Sequence, residues 1–249
     1  MKNFPTVSVL INSLDDSSQQ ALSVFNIYEK NYRNLFNLEV LVSGGVPEVI
    51  KNQSSYPQLD FSKITFAEDQ GTSVSSINEM FRKSNGDYIL NLNGKILPRS
   101  NFFNLVAEMQ EQEKNGEKIV ATGPSEPNKT ACWIPQEMCD IAGLDKSGSE
   151  RPKIIRFPAL SRKTILNHLD GVIFNESFRH HYVDNWLGQY AALIGSPIKE
   201  SSEICYDNYS SIPQVNKHDV YDKETYIGLS KAAKELKSKI SYNHEINVQ

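Results

Sequence analysis

Asn91, Asn93 and Lys95 form a short polar group near the middle of the chain, at the end of an apolar run that begins at Tyr88. Side-chain amides can donate hydrogen bonds to hydroxyl groups and accept them, and an ammonium can serve a phosphate as a point charge. The group therefore fits a ligand that carries hydroxyl and phosphate groups. It also fits an ordinary solvated turn, because Asn-Gly is a common turn sequence.

The apolar run at 88–92 predicts the strand that positions this polar group. Asn-Gly pairs stand on both sides of the run, which marks turns before and after a short strand. A strand that is apolar almost throughout is typical of a parallel sheet with both faces covered. In such sheets ligands bind beyond the carboxyl ends of the strands, which is where the polar group lies.

Apolar runs alternate with amphipathic segments along most of the chain. We predict strands near residues 7–11, 39–42, 64–66, 88–92 and 119–122, and helices near 21–28, 74–83, 102–109, 162–169, 183–194 and 223–240. Residues 123–151 are predicted to be loop-rich, and residues 154–158 to form a further strand. This alternation predicts an α/β fold with a mixed, mainly parallel sheet flanked by helices.

Composition and charge narrow the classes of function. The chain has 249 residues, a net charge of -4 and three cysteines. Such a mild negative charge argues against a nucleic-acid partner. An odd number of cysteines without metal-like spacing favours a reducing, cytoplasmic setting. No apolar run is long enough to span a bilayer and no signal peptide is visible, so we expect no transmembrane segment.

The central segment resembles that of the family-2 glycosyltransferases with the GT-A fold, the nucleotide-diphospho-sugar transferases. The similar stretch is Gly86-Asp87-Tyr88-Ile89-Leu90-x-Leu92, followed by a polar triplet and then by Ile96-Leu97-Pro98. In that family the triplet is Asp-x-Asp, which holds a divalent metal on the diphosphate of the sugar nucleotide. The triplet here is Asn93-Gly94-Lys95, which has neither carboxylate.

A later part of the chain resembles the acceptor half of the same family. The similar residues are Ser161-Arg162-Lys163-x-x-Leu166, Phe174-Asn175-Glu176-Ser177-Phe178, and the run from His180 to Leu187. In the family a Glu-Asp pair before a helix contains the catalytic base, and the corresponding pair here is Val183-Asp184. With the first two predicted strands, the resemblance covers most of the chain to about Pro197.

The resemblance, taken with side-chain chemistry, implies roles for ten residues. Asp184 would be the catalytic base, and Lys95 would contribute charge at the departing diphosphate. The other residues expected to bind substrate are Asn91, Asn93, Ser43, Gly44, Asn78, His180, His181 and Trp186. Each also has an ordinary structural interpretation: for example, Asp184 could favour a helix dipole and Trp186 could line the core or a cleft wall.

Two expectations concern metal. His180 and His181 are neighbours, so in an extended segment their rings would point in opposite directions and could not readily share one ion. The triplet Asn93-Gly94-Lys95 offers only a neutral carbonyl and an ammonium where manganese or magnesium would need hard oxygen ligands. We therefore expect no bound metal and no other cofactor, with Mn²⁺ or Mg²⁺ as the less favoured alternative.

The function implied by the resemblance is transfer of a sugar from a nucleotide-sugar donor to a glycan or other hydroxyl acceptor, with inversion. The alternative is a non-catalytic GT-A-like binding or scaffold protein, which the missing carboxylates favour. A nucleotidyltransferase is a weaker third alternative, because such enzymes usually need carboxylate-bound magnesium. We expect one GT-A-like domain, with a nucleotide-sugar-binding half at 1–124, an acceptor half at 125–213, and a C-terminal helix and tail at 214–249.

Overall fold

The computed structural model describes residues 4–12, 37–43, 64–93, 96–98, 103–125, 133–207 and 219–246. The strands in these ranges are β1 (Thr6–Asn12), β2 (Asn37–Ser43), β3 (Ile64–Ala67), β4 (Tyr88–Asn93), β5 (Ile96–Pro98), β6 (Ala121–Ser125), β7 (Ala159–Ser161) and β8 (Lys199–Asp207). The helices are α1 (Ser73–Lys83), α2 (Asn104–Lys114), α3 (Gln136–Ala142), α4 (Arg162–His168), α5 (Val183–Leu193) and α6 (Asp219–Ile246), with a 3-10 turn at Gly148–Glu150. None of the helices in these ranges has both the length and the apolar character that a membrane span requires.

The strands form one sheet in the order β3-β2-β1-β4-β7-β6-β8-β5. β1 lies between β2 and β4 and runs parallel to both, and β3 runs parallel to β2. β7 is antiparallel to its neighbours β4 and β6, whereas β8 is parallel to β6 and antiparallel to β5. The prediction of a mixed, mainly parallel sheet flanked by helices is therefore confirmed.

Three predictions for the middle of the chain need correction. The strand predicted near 119–122 begins and ends later, at Ala121–Ser125, and the strand predicted at 154–158 is instead Ala159–Ser161. The stretch predicted to be loop-rich contains the helix α3, Gln136–Ala142. Its buried side chains are Met138, Cys139 and Ala142, too few for a clear helical period in the sequence. The helix predicted near 21–28 lies outside the described residues.

Each face of the sheet has its own apolar core, which explains why the strand sequences are nearly continuous in apolar residues. In β1, Leu10 packs in the core on the α1 side, whereas Val9 and Ile11 pack in the core on the α2 side. All three side chains are fully buried. Because both faces are covered, polar side chains available to a ligand are expected at the strand ends.

The turn at Asn85-Gly86 determines where β4 enters the sheet. The backbone N–H groups of Asn85 and Gly86 donate to the carboxylate of Glu39, and that of Gly86 also donates to Ser8 Oγ. Arg162 Nε donates to the carbonyl oxygen of Gly86 at 2.6 Å. These bonds hold the amino end of β4 against β1 and so determine which β4 residues reach the opposite, carboxyl edge of the sheet.

We predict that Gly86→Ala destabilises the fold by about 1–3 kcal/mol, the usual cost of an overpacked buried site. A β-carbon built at Gly86 lies 2.1 Å from Ser8 Oγ and 2.6 Å from the Ser8 backbone nitrogen. Gly228→Ala in α6 is the matched control, because nothing lies within 4 Å of its added β-carbon and alanine is the better helix former. Urea unfolding measures both variants, and an unchanged midpoint for Gly86→Ala would contradict the prediction.

Candidate functional site

The parallel strands β2, β1 and β4 end side by side at the carboxyl edge of the sheet. In their register Asn12 lies opposite Ser43 on one side and opposite Asn93 on the other. Ser43 Oγ donates a hydrogen bond of 3.0 Å to Asn12 Oδ1, and both side chains are buried. The predicted site residues Ser43 and Asn93 therefore come to one edge, on either side of Asn12, which the sequence pattern did not single out.

Asn91 lies two residues before the end of β4 and opposite Leu10 of β1, on the sheet face that α1 covers. Its side chain is 4% exposed, and its Oδ1 atom accepts no hydrogen bond within the part of the chain that the structure describes. Leaving a buried acceptor unpaired costs about 1–3 kcal/mol. The protein covers this oxygen, so Asn91 is a polar side chain enclosed near the strand ends.

The N-terminus of α1 lies at the same edge, because a short loop joins it to the carboxyl end of β3. His180 Nδ1 lies 2.6 Å from Ser73 Oγ in the first turn of α1, and the Val74 N–H donates to the carbonyl oxygen of Arg179 at 3.4 Å. These contacts bring His180, which the sequence assigns to the acceptor half, to the carboxyl edge of the strands in the nucleotide-binding half.

His180 and His181 lie against each other, with ring centroids 4.6 Å apart and an interplanar angle of 79°. The expectation that their rings point in opposite directions is wrong, because the segment is not extended. Its backbone bends, and the next residue, Tyr182, has a φ of 60°. The described residues nevertheless contain no group of three or more His, Cys, Asp or Glu side chains that could hold a metal ion.

One buried carboxylate holds this loop. Asp222, in the first turn of α6, is fully buried and accepts three backbone N–H groups at 2.8–2.9 Å, from Arg179, His180 and His181 in succession. A cluster of successive N–H groups on one anion is a strong, charge-assisted arrangement. The sequence carried little signal for it, because Asp222 lies 41 to 43 residues beyond its partners.

Asp184, the predicted base, lies in the first turn of α5, directly after the loop that Asp222 holds. Its Oδ1 atom accepts the Asn185 N–H at 2.9 Å. Burial raises the pKa of the Asp184 carboxyl, while its backbone hydrogen bonds and the charges of Arg156 and His181 act in the opposite direction. A carboxyl whose pKa is raised toward the working pH is better suited to general base catalysis than an ordinary aspartate.

The contacts that the structure describes for Asn78 and Trp186 are with the segment at the end of α4 and after it, at 168–176. Asn78 is fully buried in α1, where its Oδ1 accepts the N–H groups of Ile173 and Phe174 and its Nδ2 donates to the Phe174 carbonyl. Its carboxamide thus holds the loop after α4, which supports a positioning role. Trp186 lines a pocket between α5 and the segment after α4, and Asp184 is not among its lining residues.

Gly44 and Lys95 lie outside the described residues, and only the backbone register places Asn93. The expectation that Asn93, Lys95 and Asp184 line one cleft therefore stays a prediction.

We predict that Asp222→Ala destabilises the protein by about 3 kcal/mol or more, because three buried N–H groups lose their acceptor at once. The substitution should raise the hydrogen-exchange rates of the amides at 179–181 by at least the factor by which it raises the equilibrium constant for global unfolding. Glu224→Ala, an exposed change on the same helix, is the control and should shift stability by less than about 0.5 kcal/mol. Slow exchange at 179–181 in Asp222→Ala would show that another group holds the loop.

The raised pKa of Asp184 predicts how stability depends on pH. The folded protein holds this proton to a higher pH than the unfolded chain, so stability falls as pH rises from about 3.9 through the folded pKa. Asn does not titrate, so Asp184→Asn does not lose stability in this way as the pH rises. The free energy of unfolding of Asp184→Asn minus that of the natural protein should therefore be greater near pH 7 than near pH 4. Urea unfolding at both pH values measures this, with the exposed Asp145→Asn as control. A difference that is equal at the two pH values would contradict the prediction.

The fold is similar to that of several solved glycosyltransferases. A mannosyltransferase from Pyrobaculum calidifontis, solved with GDP-Man and Mn²⁺, has a TM-score of 0.56 and 17% identity over 88% of this chain. TarS from S. aureus, solved with UDP-GlcNAc, has a TM-score of 0.56 and 13% identity over 92% of this chain. Glucosyl-3-phosphoglycerate synthase from Mycobacterium tuberculosis, solved with phosphoglyceric acid, has a TM-score of 0.60 and 11% identity over 90% of this chain.

These comparisons establish the fold. The chain spans 60% of the length of the mannosyltransferase, 69% of the TarS chain and 79% of the synthase. No protein-family model and no curated protein sequence matches the chain. At these identities the likeness is one of architecture, and the chain has the GT-A-type fold of these glycosyltransferases.

Proposed function

We propose that this protein is a glycosyltransferase that binds a nucleotide sugar at the carboxyl edge of β2, β1 and β4 and moves the sugar to a hydroxyl acceptor. The observation that carries the proposal is the pairing of Asn12 with Ser43 at that edge, where the N-terminus of α1 that His180 contacts also lies, in the fold of solved glycosyltransferases. Ligands of open α/β sheets bind at this edge. Asn91 adds a buried carboxamide to the same strand as Asn93, two residues before the end of β4.

The reaction we propose is a single displacement with inversion. Asp184 takes the proton of the acceptor hydroxyl as that oxygen attacks the anomeric carbon. The bond between this carbon and the diphosphate oxygen breaks, and the nucleoside diphosphate leaves with the electron pair. Asp222 takes no part in this chemistry: it holds the segment that links the His180 loop to Asp184, and so sets the position of the base.

We further propose that donor binding does not require a divalent metal. Asn93 offers one neutral carbonyl oxygen, and Lys95 offers no ligand while it is protonated. Two like unit charges 4 Å apart repel each other by about 4 kcal/mol at an effective dielectric of 20, and a divalent ion beside Lys95 would be repelled more. In this proposal the ammonium of Lys95 supplies positive charge to the diphosphate in place of a metal.

The second candidate is a GT-A-like binding protein without transferase activity. The observation that favours it is the sequence Asn93-Gly94-Lys95, which lacks both carboxylates of the metal-binding triplet. The two candidates share the fold and differ in whether Asp184 acts on a bound donor, so donor binding and turnover distinguish them.

We predict that the protein binds at least one of UDP-GlcNAc, UDP-glucose and GDP-mannose in EDTA, and that adding Mn²⁺ does not tighten binding. Lys95→Ala should weaken the affinity about tenfold, or about 1.4 kcal/mol. Lys163→Ala, an exposed lysine on α4, is the matched control and should bind normally. Isothermal titration calorimetry measures each case. Binding that appears only with Mn²⁺ would refute metal independence. Normal binding by Lys95→Ala would show that Lys95 does not contribute charge to the diphosphate.

Turnover of the bound donor tests the catalytic part of the proposal. Asp184→Asn should keep its nucleotide affinity and lose about 100-fold or more in sugar transfer, the usual contribution of a general base. Released nucleoside diphosphate is the readout. If the natural protein binds a donor but transfers no sugar to any of a panel of acceptors, the result favours the second candidate, a binding protein without transferase activity. If none of the three nucleotide sugars binds, the proposal of a donor site is contradicted.

A further inference from the structure

A pocket of about 350 Å³ lies against α5, and Asp184 is not among the residues that line it. Its floor is apolar and includes the buried side chains of Ile173, Val183 and Leu187. The volume falls within the range of roughly 300–1,000 Å³ that is usual for small-molecule sites. Neither the proposed donor site nor the base uses this pocket.

Two aromatic side chains form one wall of the pocket. Trp186 and Tyr190 are four residues apart on α5 and therefore lie on the same face of the helix. Their ring centroids are 5.9 Å apart and the rings are tilted by 37°. Both side chains are half-buried, so part of each ring remains accessible. Together they offer a broad apolar surface against which the flat face of a ring-shaped ligand can pack.

Polar side chains also line the pocket. Asp170 is exposed, with a φ of 54°, and begins a turn that continues through Gly171 at a φ of 76°. Asp170 lies close enough to Tyr190 that its charge, after the larger effect of burial, raises the pKa of the tyrosine. Asn175 contributes a carboxamide, and Glu176 contributes a carboxylate that pairs with Arg82 of α1.

We propose that this pocket binds one neutral sugar unit of a glycan, packed on Trp186 and Tyr190 and hydrogen-bonded through its hydroxyls to Asp170 and Asn175. The choice of a carbohydrate rests on the proposed function. A sugar ring has an apolar C–H face and several hydroxyls that both donate and accept. It can therefore match the aromatic wall and the polar groups at the same time.

Other ligand classes fit the pocket less well. An anionic ligand would bring its charge beside Asp170, which repels it. A wholly apolar ligand would remove Asp170 and Asn175 from water without giving them hydrogen-bond partners. An organic cation could use the aromatic rings and Asp170, so it is tested as the competing class.

The pocket provides a second point of attachment for a glycan. Asp184 and the pair Trp186 and Tyr190 lie on different sides of α5, because successive helical residues are about 100° apart. Because Asp184 does not line the pocket, we assign the pocket to a sugar unit of the acceptor other than the one that reacts. Its binding would hold an extended acceptor on the protein through a unit remote from the transferred sugar.

Tryptophan fluorescence of the full chain tests the proposal. The chain has two tryptophans, so Trp133→Phe leaves Trp186 as the sole reporter. This protein is titrated with cellohexaose, maltohexaose, mannohexaose and the hexamer of N-acetylglucosamine, each as a neutral oligosaccharide. At least one should give a saturable change. Asp170→Asn, in the same background, should bind that oligosaccharide about tenfold more weakly, while keeping a side chain that tolerates the positive φ.

Controls separate this proposal from the donor-site proposal. Asp145→Asn, an exposed change elsewhere, should leave the oligosaccharide affinity unchanged. Any one of three results would overturn the sugar site. They are no saturable response to any oligosaccharide, an undiminished affinity in Asp170→Asn, and a response to tetramethylammonium in place of the sugars. UDP and GDP are titrated calorimetrically in the same preparations. Nucleotide binding without oligosaccharide binding would contradict only the proposal of a sugar site in the pocket. Oligosaccharide binding without nucleotide binding would contradict only the proposal of a donor site.

Discussion

The hydrogen bonds that the buried carboxylate of Asp222 accepts are the interaction on which the path of the chain from α4 to α5 depends. Three successive backbone N–H groups point at one anion that has no contact with water, so the path of the chain through Arg179, His180 and His181 is closely constrained. The His180 ring contacts the first turn of α1, and α5 begins two residues after His181, which fixes the position of Asp184 in its first turn. A residue of the C-terminal helix thus positions side chains from two other parts of the chain.

The C-terminal helix is tied to its neighbours by a second polar connection. Ser230 Oγ donates to Gln189 Oε1 of α5, and Gln189 Nε2 donates to the carbonyl oxygen of Met138 in α3. All of these groups are buried, so breaking one bond leaves polar atoms unpaired in a low-dielectric interior. α6 is therefore part of the framework that orients α5.

The two edges of the sheet differ in how well their polar groups are paired. At the amino edge, the Gly86 N–H donates to Glu39 and the Gly86 carbonyl accepts from Arg162, and these two bonds hold the start of β4. At the carboxyl edge, Asn12 and Ser43 are paired, whereas the Oδ1 of Asn91 accepts no bond within the described residues. Pairing at the first edge fixes the start of β4 and so gives the residues at the second edge a defined register.

The sequence by itself determined the local structure and the fold class. Apolar runs and turn residues specified β1 to β4, and the helices α1, α4 and α5 follow from local periodicity, which depends only on neighbouring residues. The position of Asn93 at the end of β4 followed from the same reasoning, whereas Asn91 lies inside the strand, two residues before its end. Only the tertiary structure decided the antiparallel insertion of β7, the bond from Asp222 to the His180 loop, and the structural role of Asn78. These features join residues far apart in sequence, and no local pattern specifies which distant backbone groups a buried carboxylate or carboxamide will meet.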